Sequence, residues 1–180
     1  MLQLALSAVP FLFALLVIYG ALSDLSTFRI PNWVSYGLIG LFAVYSILVS
    51  LNTPYMPSLE FKLPPVVINI IIGIFVFVVT TVFWKLGFLG GGDVKYLTAT
   101  SLWMGPQLML IFIILLTGLA LVFFAVVKFM SRWNFYFQSM RLPVFVKRIM
   151  QKGDTNVLPY GFPIGVAALI LIPSLFGAAR

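Results

Sequence analysis

Stretches of about twenty apolar residues recur along this chain, and no other feature restricts its fold as strongly. Runs at 4–22, 33–51, 65–84 and 108–127 can each cross roughly 30 Å of hydrocarbon at about 1.5 Å per helical residue. With 62% hydrophobic and 8% charged residues and a mean hydropathy of +1.14, the chain lies far from the make-up of a water-soluble domain. The expected fold is all-α, a polytopic membrane bundle of about six segments forming one domain over 1–180.

The breaks between segments are chemically distinct. The first run gives way to Ser23-Asp24-Leu25-Ser26-Thr27-Phe28-Arg29, and Pro31 resets the backbone before the second. Pro54, Pro57 and Pro64 mark a loop before the third. Beyond Lys85 comes Gly90-Gly91-Gly92-Asp93, and the segment 93–104 that follows is too short and too rich in Thr and Ser to face lipid all round. It belongs inside the bundle, closed by Gly105-Pro106. Pro159-Tyr160-Gly161-Phe162-Pro163 opens a last segment ending near 176. No basic region precedes the first run, so a cleaved signal peptide is not expected.

Charge gives the chain an orientation. The stretch 128–157 carries Lys128, Arg132, Arg141, Lys147, Arg148 and Lys152 among Trp133, Phe135, Tyr136 and Phe137, a mixture suited to anionic headgroups. With six alternating segments, nine of the eleven Lys and Arg fall on one face, counting Arg29, Lys85 and Lys95. That face is expected to be cytoplasmic in a cell membrane, with both termini outside, and it also receives Asp24, Asp93 and the start of the last segment. The net charge of +7 is read as loop topology and lipid contact, not nucleic-acid binding.

The chain has no Cys and no His, which excludes a disulfide framework, a zinc site, a thiol nucleophile and a Ser-His-Asp triad; a two-carboxylate magnesium site normally wants more acidic ligands or substrate phosphates, and no metal or cofactor is expected. Its acids are Asp24, Glu60, Asp93 and Asp154, of which Glu60 and Asp154 read as solvated loop residues. Taken singly, Asp93 could serve as a helix cap and Asp24 as an interfacial residue. Jointly they sit at helix ends on one face of one small bundle, where ionisable groups are costly. Two carboxylates within a few Å share one proton, so one can take a proton from an attacking water while the other donates to the carbonyl oxygen. The glycines would permit positive φ and a close approach of substrate backbone. A Ser-Lys pair drawn from Ser23, Ser26, Ser101, Lys85 and Lys95 is a second route, and a proton- or ion-coupled transporter with the Asp pair as relay is a third reading. Lys95, two positions after Asp93, points away from it and reads as an anchor or helix contact.

Gly90-Gly91-Gly92-Asp93-Val94-Lys95 resembles the Gly-x-Gly-Asp signature of the type IV prepilin peptidases. Asp24 with Arg29-Ile30-Pro31-Asn32 is similar to that family's first aspartate and its trailing Ile-Pro-Asn, and Pro159-Tyr160-Gly161 to the start of its last helix. The resemblance implies an aspartic endopeptidase that removes the short basic leader of prepilins at the cytoplasmic face, with Asp24 and Asp93 as catalytic residues. Without cysteine or a cysteine-bearing cytoplasmic domain, the chain resembles the short form associated with Flp pili. Its implied partners are a Flp-type prepilin and pilus or secretion machinery.

Overall fold

The computed structural model describes residues 2–52, 64–132 and 159–177. Among the described residues six helices follow one another: α1 (Leu2–Thr27), α2 (Asn32–Asn52), α3 (Pro65–Lys85), α4 (Gly91–Arg132), α5 (Gly161–Ile170) and α6 (Ile172–Gly177). No strand occurs among the described residues, and the protein is an all-α, polytopic membrane protein. Helices α1 to α4 contain spans long and apolar enough to cross a bilayer, and α5 is a shorter apolar helix. The loop acids Glu60 and Asp154, and the basic stretch beyond Arg132, lie outside the described residues.

Helix α4 is one element with a break in it. Gly105 has φ 57° and ψ −178°, and Pro106 has no N–H to continue the ladder, so the helix divides into the short and long segments expected at 93–104 and 108–127. The last segment is divided as well. Pro173 removes a hydrogen bond in what would be one helix, and the chain turns at Leu171 between α5 and α6.

Helix α1 runs further than its hydropathy suggests. Polar side chains end the apolar run at 22, but the helix continues to Thr27, whose hydroxyl donates back to the Ser23 carbonyl at 2.8 Å. Asp24 is therefore in the last helical turn rather than in the loop. The helix closes at Phe28, whose φ of 55° is rare outside glycine and whose N–H donates to the Asp24 carbonyl at 2.8 Å. Ser23 and Thr27 also donate to the Arg29 carbonyl, at 2.9 and 3.1 Å, and so fold the turn back on the helix end.

The short segments lie within the bundle. Helix α5 packs against α1 and α4, with Phe162 meeting Phe123 at 5.3 Å between ring centroids, α2 packs against α1 and α4, and α3 lies along α4. Val9, Phe13, Val17, Ala21 and Asp24 form the buried stripe of α1, and Asp93, Tyr96, Thr100 and Trp103 that of α4. Lipid tails are as apolar as these side chains, so association rests on close packing and polar links rather than on escape from water. A Cβ on Gly20 would lie 2.9 Å from the Tyr96 ring and one on Gly165 2.7 Å from Ala21, so the backbones approach closely there. The Tyr96 hydroxyl donates to the Val17 carbonyl at 2.9 Å and the Trp103 indole to that of Leu38 at 3.2 Å, links worth about 1 kcal/mol each. Thr100 bonds within its own helix, to the carbonyls of Tyr96 and Leu97, which satisfies a buried hydroxyl without a partner. The expectation that 93–104 is interior is met.

Candidate active site

Three helix ends meet at one end of the bundle. The C-terminus of α1 supplies Asp24, the N-terminus of α4 supplies Asp93, and the N-terminus of α5 presents free backbone amides between them. The sequence provides each for a separate reason.

Asp93 reaches the site through the turn before it. Gly87, at φ 81°, ends α3 in a Schellman arrangement, with its N–H on the Trp84 carbonyl and that of Phe88 on the Phe83 carbonyl, both at 3.0 Å. This directs the chain back along α3 towards Gly90. Asp93 is the third residue of α4, and its Oδ2 accepts the Gly90 N–H at 3.2 Å, closing the first turn like the acidic half of a capping box. The positive φ in this connection belongs to Gly87, and none of Gly90, Gly91 and Gly92 has it. Their contribution is space, since a Cβ on Gly90 would lie 2.9 Å from the Asp93 carboxylate.

Helix α5 begins at Gly161 and has no side-chain cap of its own. Its first amides, on Gly161 and Phe162, face Asp24, and the Gly161 amide also faces Asp93. The positive end of α5 thus lies against carboxylates from two other helices. Gly161 tolerates this only because it lacks a side chain, as a Cβ there would lie 2.8 Å from Asp24 Oδ2 and 2.6 Å from Ile30 Cδ1.

Asp24 is 3% exposed and Asp93 9%, and the two are near enough for their charges to repel. Asp24 Oδ2 is buried with no hydrogen-bond partner among the described residues. A buried carboxylate oxygen without a donor costs about 1–3 kcal/mol, so Oδ2 keeps the capacity to accept from water or substrate. Both aspartates line a cavity of about 490 Å³, walled by Phe28 to Ile30, Asn32, the Gly87–Asp93 turn and Tyr160. That volume accommodates a short stretch of peptide.

The remaining candidates are occupied elsewhere. The hydroxyls of Ser23 and Ser26 face backbone carbonyls of the α1 end, at 2.9 and 3.1 Å, and that of Ser101 donates to the Thr98 carbonyl at 2.8 Å. Lys95 Nζ donates to Asn32 Oδ1 at 3.0 Å, so it is a helix contact rather than a partner for a serine. Below the carboxylates, Val17, Phe13 and Tyr96 fill the bundle. No group of three metal-ligating side chains occurs among the described residues.

The fold and the site together define a polytopic membrane protein built around a buried carboxylate pair at helix ends. The model of the type IV leader peptidase family matches residues 11–126, more than half of the chain, and the chain belongs to that family. It is accordingly a membrane protease of the leader-peptidase type, as the resemblance implied. Curated proteins and solved structures yield no match. Both aspartates lie within the matched residues, whereas Gly161 lies beyond them and is tied to the site by its position against Asp24.

Proposed function

We propose that the protein is an aspartic endopeptidase that cleaves the leader of Flp-type prepilins at the cytoplasmic face of the cell membrane, with Asp24 and Asp93 as its catalytic pair. The observation that carries this reading is the shared cradle: two buried carboxylates from separate helices on one cavity, one with an oxygen left without a donor. The ionised member takes a proton from water as the water oxygen attacks the scissile carbonyl. The protonated member donates to the developing oxyanion, and the proton taken from water goes to the leaving nitrogen as the C–N bond breaks. The basic leader suits the buried acidic pair, beside which Arg29 is the one cation in the described cavity wall, and the stretch 128–157 is assigned to anionic lipid and to the approach of substrate or secretion machinery.

A proton-sharing pair gives the pH profile a definite form. Cleavage of a synthetic prepilin in liposomes, followed between about pH 4 and 10, should trace a bell. The acid limb falls when both aspartates are protonated and no base remains. The alkaline limb falls when neither is protonated and no acid remains. A rate that climbs to the alkaline end would instead indicate a neutral lysine as base.

The orientation has its own test. Reporter tags at Met1 and Arg180 should both read as external, and one within 128–157 as cytoplasmic. A cytoplasmic N-terminus would place Asp24 at the outer face and refute cleavage at the inner one.

A further inference from the structure

We infer that Asn32 is a substrate-binding residue whose side-chain amide, held in one orientation by Lys95, donates to a backbone carbonyl of the peptide next to the bond that is cut. The inference rests on the reading of the Asp24–Asp93 cavity as the peptide site. It starts from the bond between Lys95 Nζ and Asn32 Oδ1 at 3.0 Å, which joins α4 to the start of α2. An ammonium group only donates, so the atom it meets on the amide must be the oxygen, and this fixes which way the amide faces. The remaining polar atom, Nδ2, then carries two hydrogens, and because Asn32 and Lys95 are both exposed it is accessible to a ligand from outside.

Asn32 also lines the cavity that both aspartates line. Within the cavity wall the ionisable acids accept when charged, whereas an extended peptide presents carbonyl oxygens that need donors. Asn32 Nδ2 supplies one, and Lys95 prevents the amide from turning its oxygen towards the substrate. Lys95 acts through Asn32 and is a positioning residue, which explains a lysine two residues from Asp93 that does not interact with it. Because the carbonyl held by Asn32 does not react, the bond forms equally in ground and transition states and should appear in KM rather than in kcat.

The test uses the full chain in liposomes and a set of synthetic prepilin peptides, each with one backbone carbonyl near the cleavage point replaced by a thiocarbonyl, a poor acceptor. Asn32→Leu keeps the approximate volume and adds no charge to the cavity, but removes both hydrogens. With the unmodified peptide it should raise KM about tenfold and leave kcat within about threefold, as expected for loss of one hydrogen bond. In the parent protein one thiocarbonyl position should raise KM by a similar factor, and in Asn32→Leu that same position should carry no further penalty. Lys95→Met, which leaves Asn32 intact but free to rotate, should raise KM by a smaller factor and weaken the same positional penalty. An unchanged positional penalty in both variants, or a loss confined to kcat, would overturn the inference. If Asp24 and Asp93 variants cleave normally, the aspartic mechanism fails separately, and the thiocarbonyl series still reports on Asn32.

Discussion

Replacing Asp24 or Asp93 by asparagine should lower leader cleavage by about 10⁴-fold or more while the protein accumulates and unfolds as before, because each change removes one member of a unit that works only as a pair. The double variant should be no worse than either single one. Stability is the informative control. Asparagine retains a carbonyl oxygen for the Gly161 amide at position 24 and for the Gly90 amide at position 93, while the repulsion between the two carboxylates disappears. The melting temperature in detergent should therefore hold or rise, as it does where a site is built at the expense of stability. Were the two acids only helix caps, the substitutions would leave both the melting temperature and the activity near those of the parent, because asparagine caps about as well as aspartate. That outcome would remove the catalytic assignment.

The second large effect is expected at a residue with no functional group. Gly161→Ala introduces a Cβ 2.8 Å from Asp24 Oδ2, 3.0 Å from Asp24 Cβ and 2.6 Å from Ile30 Cδ1. The Ile30 methyl can swing aside, but contact with both Cβ and Oδ2 of Asp24 obliges that residue to shift. A displacement of a few tenths of an ångström to 1 Å in a reacting group costs on the order of 10²-fold in rate, whereas overpacking of this size costs about 1–3 kcal/mol in stability. The expected result is thus a folded protein with cleavage reduced about a hundredfold, read from kcat on a synthetic prepilin together with a melting curve. Activity close to that of the parent would mean that the α5 amides do not set the position of Asp24.

The architecture was legible in the sequence because hydropathy and helix breakers act over many residues. The apolar runs, the interior placing of 93–104 and its closure at Gly105-Pro106 all follow from bilayer thickness and backbone chemistry. The end of α1 was less legible. Hydropathy measures solvent preference, whereas the helix continues to Thr27 and closes at a positive-φ cap at Phe28. The aspartates were singled out because carboxylates are few in this chain, and the fold brings both to one cavity.

The glycine turn was only partly legible. Conformational freedom was expected within Gly90–Gly92, yet the residue that needs it is Gly87, and a glycine directly after the last turn of α3 and its Lys85 was the available sign. Lys95 was expected as a helix contact, but its partner, Asn32, was not legible. Residues 63 positions apart carry no periodic signal, and only the packing of α2 on α4 joins them.

The meeting of the α5 N-terminus with acids from α1 and α4 also has a consequence in time. Residues 24 and 93 emerge early in synthesis and enter the membrane well before residue 161 exists. Until α5 arrives, the two carboxylates lack the amides that face them, and until they are in place the positive end of α5 has no anions against it. The seating of the last helix and the completion of the candidate site are thus a single event, so a chain still on the ribosome holds both acids without the helix end that faces them.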